Sequence, residues 1–196
     1  MKVVNYSNEL RLEPLSMTNL PEFKELLGSN EFGGCFCAVW TSYDETWEKR
    51  CGDKSLPNFN ITAKNTANGQ HIGFLVYQNE EIVGWTGSGP KTAFPLLKEK
   101  LGSRLSSFES NKWSLGCIAI KNQYRSKGLA EKIINSVINK ACENGAILLE
   151  AYPTRPWHEP RSYRGSFKMF ERLGFIEKIS EPDGDFEILL MEYKIK

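Results

Sequence analysis

The sequence predicts an α/β (α+β) fold: a mixed, mostly antiparallel central sheet of about six to seven strands, flanked by about four to five helices. Three observations carry this. Short apolar segments, alternating or continuous and bounded by Gly, Pro, Asn or Asp, have the pattern of strands. The segment 128–145 has the apolar spacing of an amphipathic helix. The order along the chain is strand, helices, hairpin, strand, helix, strand, helix, hairpin, which suits helices packed against one sheet.

Each element has its own signal. In "LRLEPL" (10–15) apolar residues alternate, as in a strand. Thr18 can cap a helix running to about Leu27 and ended by Gly28. Residues 30–70 show little periodicity; "SYDETWEKRC" (42–51) is read as a helix and "GDKSLPNFN" as a loop. "HIGFLVYQ" (71–78) and "EIVGWTGSGP" (81–90), separated by "NE", read as an antiparallel hairpin. Residues 92–105 read as a helix, and "KWSLGCIAI" (112–120) as a buried strand. In 128–145, Ala130, Ile133, Ile134, Val137, Ile138 and Ala141 share one face, and Gly145 ends the helix. "AILLEAYP" (146–153) is a further buried strand, and 163–175 a short helix with a glycine stop. "FIEKIS" and "DFEILLMEYKI" form a closing hairpin around the turn "EPDGD".

The bulk properties bound the function. A length of 196 residues suits one domain, 1–196. A net charge of +1 gives no general electrostatic reason to bind nucleic acid or an anionic membrane. No apolar run approaches the roughly 20 residues of a membrane span, and "MKVVNYSNELRLEPL" lacks a signal-peptide core, so a cytoplasmic location is expected. The five cysteines, at 35, 37, 51, 117 and 142, are then expected as free thiols.

One stretch carries chemistry. In "CIAIKNQYRSKGLAEKIINSVI" (117–138) a buried strand leads through a basic, glycine-containing loop directly into the long helix. Helix N-termini present unpaired backbone N–H groups and favour anions. Gly128 lacks a Cβ, Ala130 is small, and Lys121, Arg125 and Lys127 can add charge-assisted contacts. A solvated basic turn opening an ordinary helix is the alternative. Neither GxxxxGK[ST] nor GxGxxG is present.

The core of that loop, R-x-x-G-x-A at 125–130, resembles the acyl-CoA pyrophosphate loop of the GCN5-related N-acetyltransferases (GNAT superfamily), Q/R-x-x-G-x-G/A. "ILLEAYP" and "FKMFERLGF" stand where that family has its fifth strand and late helix, so the resemblance covers about residues 10–194. Cys35-Phe-Cys37, Val83-Gly-Trp85, Glu150-Ala-Tyr-Pro153 and Tyr163 to Phe175 further resemble a less characterised GNAT subgroup.

The resemblance implies a GNAT fold whose fourth and fifth strands splay, with acetyl-CoA as co-substrate and an amine as acceptor. The backbone of Cys117, Ile118, Ala119 and Ile120 would pair with pantetheine. The N–H groups of Arg125, Ser126, Lys127, Gly128, Leu129 and Ala130 would hold the pyrophosphate, with Tyr163, Ser166 and Phe170 completing the acyl-CoA side. It implies direct transfer in a ternary complex, which needs an acceptor for the amine's proton and a donor for the leaving thiolate. The family's usual tyrosine acid is Phe170 here, which cannot donate, and its frequent asparagine is Tyr163. Tyr163 or Tyr152 is therefore the candidate acid. Some relatives carry a glutamate base on the fourth strand where this chain has Ser114. Glu150 becomes the candidate base, unless it is paired with a lysine or arginine; His158 and Glu159 follow, in the Pro-rich segment 153–162 that would frame the mouth.

Cys35 and Cys37 admit four readings: two of the four ligands a structural zinc needs, a strained disulfide, packing of a helix–loop corner, or the lining of an acceptor pocket. In the last, Phe32, Trp40 and Trp85 are aromatic walls and His158 a further acceptor contact, whereas Trp47 and Trp113 are core. No metal is expected. A GNAT-fold module that binds acyl-CoA without turnover, and a cysteine-based metal or redox protein, stand as alternatives. A monomer, or a homodimer through an edge of the closing hairpin, suits the chain.

Overall fold

The computed structural model describes residues 10–42, 44–97, 108–157 and 159–196. Eight strands form one sheet: β1 (Leu10–Pro14), β2 (Phe74–Gln78), β3 (Glu81–Pro90), β4 (Lys112–Ile120), β5 (Leu148–Ala151), β6 (Thr154–Arg155), β7 (Ile176–Asp183) and β8 (Phe186–Lys194). Their order is β1-β2-β3-β4-β5-β8-β6, with β7 also paired to β8. Among the described strands β4 and β5 run parallel, and every other strand pair is antiparallel. The count exceeds the sequence expectation by the two-residue β6, which follows a break at Tyr152 and Pro153.

Among the described residues the α-helices are α1 (Leu20–Gly28), α2 (Ala38–Thr41), α3 (Pro57–Ala67), α4 (Leu129–Glu143) and α5 (Phe167–Arg172). None is long and apolar enough to cross a membrane. The expected helix at 42–51 is a 3-10 helix, Glu45–Arg50, and α3 replaces part of an expected loop. Residues 98–105 of the expected helix 92–105 lie outside the described residues; a 3-10 turn, Lys91–Ala93, begins that stretch. The expected helix 163–175 is shortened, because Gly165 takes a positive φ of 78° and the Ser166 hydroxyl caps α5 by accepting from the Met169 N–H. Tyr163 therefore lies on the 3-10 turn Glu159–Arg164, before the helix.

Strand alternation sends neighbours to opposite faces, and both faces are covered. Leu12, Phe74 and Val76 join a core with Ile133, Ile134 and Val137 of α4 and Phe170 of α5. Leu75 and Trp85 join a second core with Phe23, Leu26 and Leu27 of α1 and the Phe36–Trp40 segment. Each fully buried Ile or Val on α4 contributes about 1.5–3 kcal/mol relative to exposure.

One irregularity positions the site. β4 and β5 pair from Lys112↔Leu148 to Leu115↔Ala151, where β5 ends while β4 continues to Ile120 along β3. This is the splayed pair that the resemblance implies. Across from β3 the register passes from Ser88↔Leu115 to Gly87↔Cys117, leaving Gly116 as the extra residue of a bulge at the point of divergence. The Trp40 indole N–H donates to the Gly116 carbonyl at 2.9 Å. A Cβ at 116 would stand 2.6 Å from that indole nitrogen, so only glycine fits.

Candidate functional site

Beyond the divergence, β4 flanks a cavity of about 810 Å³. Its floor is Cys117, Ile118, Ala119 and Ile120. Arg125, Ser126 and Ala130, where the loop after β4 turns into α4, also line it. Ser126 and Gly128 both take left-handed φ values, 59° and 73°, which fold this loop tightly against the helix start. Arg125 is fixed from two sides: its Nε donates to the Ile120 carbonyl at 2.7 Å and its Nη2 to the Glu31 carboxylate at 2.9 Å. Lys127 is turned back on its own loop, with Nζ 2.8 Å from the Gln123 carbonyl. Gly128 has open space where a Cβ would project.

The opposite wall brings together segments distant in sequence. Phe32, Gly33 and Cys35 come from the loop after α1, Trp47, Glu48 and Cys51 from the 3-10 helix region, and Tyr163, Gly165 and Met169 from the segment entering α5. Of the five residues from Gly33 to Cys37, all but Cys35 have positive φ. The polar face of α3 holds this strained loop: Thr62 Oγ1 donates to the Phe36 carbonyl at 2.8 Å, and Asn58 Nδ2 to the Gly34 and Trp47 carbonyls.

The thiols differ in state. Burial, then the nearby Cys117, pushes the Cys35 thiol up to about 12. Cys117 is raised well above the ordinary range by its hydrogen bond with Cys37 and by burial. Cys51 is raised by burial and by Glu48. All five cysteines are free, and the described residues contain no group of three or more His, Cys, Asp or Glu side chains able to hold a metal. Thiols kept protonated in this way are poor nucleophiles.

A strand that leaves its partner at a bulge, a cavity along its freed edge and a glycine loop opening the next helix define a recognisable arrangement. The model of the acetyltransferase (GNAT) family matches residues 35–175. The chain belongs to the acetyltransferase (GNAT) family. No curated protein matches its sequence. Solved structures with similar folds include the aminoglycoside acetyltransferase AAC(6')-Ib in complex with coenzyme A, with TM-score 0.59, 12% identity and coverage of 95% of each chain. PaiA N-acetyltransferase from Thermoplasma acidophilum, in complex with coenzyme A, gives TM-score 0.55, 16% identity and coverage of 95% of this chain and 99% of its own. The ribosomal-protein-S18-alanine N-acetyltransferase from Escherichia coli gives 0.54, 14%, 95% and 94%. Identities this low support the shared fold and nothing finer.

Within this GNAT frame, the residues singled out from the sequence divide sharply. Cys117 to Ile120, Arg125, Ser126, Ala130, Phe32, Cys35 and Tyr163 line one cavity. Lys127, Gly128 and Leu129 complete the loop behind it. Cys37, Trp40 and Trp85 are buried just outside it, packing the second core. Ser166 caps α5, and Phe170 is core, its ring 5.0 Å from Phe175. His158 lies outside the described residues.

Glu150 and Tyr152 are not brought to the cavity. Glu150 is 0% exposed and forms an ion pair with Lys91, and Tyr152 is buried with its hydroxyl donating to Glu150 at 2.8 Å. Glu150 thus has the pairing with a lysine that the sequence reading gave as its alternative to a base. Trp47, expected in the core, packs against the second core and also lines the cavity. Glu48 was not legible as a site residue: it lies among several charged residues with no motif around it, and only the fold carries it to the cavity wall.

Proposed function

We propose that this chain transfers an acetyl group from acetyl-CoA to an amine acceptor, directly, within a ternary complex. The observation that carries this is the single cavity joining the Arg125–Ala130 loop, the freed edge of β4 and the Cys35–Cys51 wall. A pyrophosphate suits the loop end, where helix N–H groups and Arg125 supply positive potential. Pantetheine suits the unpaired edge of β4, as an added strand would. The acetyl group then lies toward Tyr163 and the cysteines, and the amine enters past Trp47, Glu48 and the exposed Trp157.

Glu48 is exposed at the cavity wall, and among the described residues it has no ion-pair partner, so its carboxylate is available to an amine. In the reaction, the amine nitrogen attacks the thioester carbon. Its proton passes to Glu48, directly or through one water. As the C–S bond breaks, the electron pair goes to sulfur, which takes the Tyr163 hydroxyl proton, leaving amide and CoA. Phe170 lacks a hydroxyl, so the acid role falls to Tyr163, the tyrosine on the cavity wall.

The test is CoA release from acetyl-CoA over a panel of spermidine, L-lysine, kanamycin and a peptide with a free N-terminal alanine. Amine-dependent release by the wild type, with kcat lowered about 10²–10⁴-fold in Glu48→Gln, supports the reading. Phe170 favours one competing reading, a module that holds acyl-CoA without turnover. Tight acetyl-CoA binding with no release on any amine would select that module instead.

A further inference from the structure

Arg164 is a buried cation whose charge nothing in the described protein balances. It is 6% exposed, Nη1 has no hydrogen-bond partner, and no carboxylate among the described residues pairs with it. Its guanidinium carbon lies 5.2 Å from the centre of the Trp40 ring and 5.6 Å from that of Tyr163. Its one side-chain hydrogen bond among the described residues runs from Nε to the Tyr163 hydroxyl oxygen at 3.2 Å. Burying a guanidinium with so few partners is costly, and apolar side chains of similar volume fill such places at less cost. Trp40 ties this group to the strand divergence through its bond to the Gly116 carbonyl, while Tyr163 lines the cavity.

The direction of the Arg164–Tyr163 bond matters. A guanidinium has donors and no acceptor. The Tyr163 oxygen therefore receives a hydrogen from Arg164 and cannot return its own proton there. That proton is left for a partner in the cavity, and a negative charge developing on the oxygen faces a fixed cation.

We propose that Arg164 is a positioning residue for acetyl transfer: it orients the Tyr163 hydroxyl toward the leaving sulfur and holds the tyrosinate that forms when the proton moves. This rests on the transferase reading above. The C–S electron pair goes to sulfur, the Tyr163 proton follows it, and the tyrosinate beside Arg164 regains a proton from solvent once CoA has left. The cation thus takes the place that a hydroxyl at 170 would make unnecessary.

The experiment is a double-mutant cycle of Tyr163→Phe and Arg164→Met, read as CoA release on the amine panel, acetyl-CoA affinity by calorimetry, and Tm. Each single variant should lose about 10²-fold in kcat, and the double variant no more than either, because both remove the same proton donation. Acetyl-CoA affinity should be unchanged. The Tm of Arg164→Met should equal or exceed that of the wild type, since an unpaired buried charge has been removed. Arg164→Gln serves in its place if Arg164→Met does not fold. Wild-type kcat in the Arg164 variants, or losses that multiply in the double variant, would overturn the inference while leaving the transferase reading intact. So would a fall in Tm and acetyl-CoA affinity together with kcat, the mark of a merely structural residue. If the wild type releases no CoA with any amine, the transferase reading fails, and this inference with it.

Discussion

The Lys91 ammonium lies 2.7 Å from a Glu150 carboxylate oxygen, and neither side chain is exposed to solvent. The pair is embedded in a polar chain. Tyr152 donates to Glu150, and the Ser114 and Tyr152 hydroxyl oxygens are 2.8 Å apart. Burial lowers the Lys91 pKa while Glu150 raises it, and the first effect is the larger. Glu150 is paired with Ser114 one residue before β4 and β5 diverge, so the network braces the last joined rungs of the splayed pair.

Removing one partner of this pair should leave the other charge buried without that counter-charge. Glu150→Gln and Lys91→Met should each cost about 3–5 kcal/mol in urea denaturation, and Lys91→Met with Glu150→Met together should recover much of the loss. The kcat of folded Glu150→Gln should stay near the wild-type value, in contrast to Glu48→Gln. Wild-type stability in both single variants, or a double variant as unstable as the sum, would show that the two are not one structural unit.

His71 gives stability a pH dependence with a definite sign. Its Nε2 donates to the Ser88 carbonyl at 2.8 Å, and its ring packs between Phe74 and Trp113. Burial lowers its pKa from the ordinary 6.5, only partly offset by the Ser88 bond. The unfolded chain therefore takes up this proton at higher pH than the folded one does. The effect is absent above the unfolded pKa, and stability falls as pH drops below it, until the folded pKa is passed. Denaturation curves between pH 7.5 and 5.5 should show this loss, and His71→Phe should flatten it at a lower overall stability. An unchanged slope in His71→Phe would assign the dependence elsewhere.

The cysteines should react in order of exposure and thiolate character. Cys142 is exposed, whereas Cys35, pushed up to about 12, and Cys117, raised well above its ordinary range, are almost wholly protonated near pH 8. Iodoacetamide at that pH should label Cys142 first, read by peptide mass spectrometry. All five should be labelled after unfolding without reductant. Labelling of native Cys35 as fast as Cys142 would contradict the half-buried, protonated thiol.

Much of this was legible in the residues because hydrophobic periodicity reports burial. The long helix α4, the β2–β3 hairpin and the continuous apolar run of β4 all bury apolar faces, and each was placed within a few residues. The helix α3 was missed for the complementary reason. Its buried residues are Asn58, Thr62, Asn65 and Thr66, whose side chains hydrogen-bond to carbonyls of the cysteine loop and of α2 and α3. A polar face satisfied in this way carries no hydrophobic signal. The basic glycine loop at 125–130 was visible because its residues are contiguous. Glu48, Lys91 and Arg164 were not: only the fold carries Glu48 to the cavity wall, the partner of Lys91 lies 59 residues away, and Arg164 and Tyr163 look like any neighbouring pair until the turn at 159–164 is seen.

The central claim is that the cavity along the freed edge of β4 holds acetyl-CoA with its pyrophosphate at the Arg125–Ala130 loop. Calorimetric titration of acetyl-CoA into the wild type and Gly128→Glu measures this most directly, with circular dichroism confirming that the variant is folded. A glutamate at 128 puts a negative charge at the helix start where the phosphates are to lie. One acetyl-CoA per chain, with affinity reduced at least about tenfold in Gly128→Glu, a loss of about 1.4 kcal/mol, is the expected result. Equal affinity in a folded Gly128→Glu, or no binding by the wild type, would contradict it.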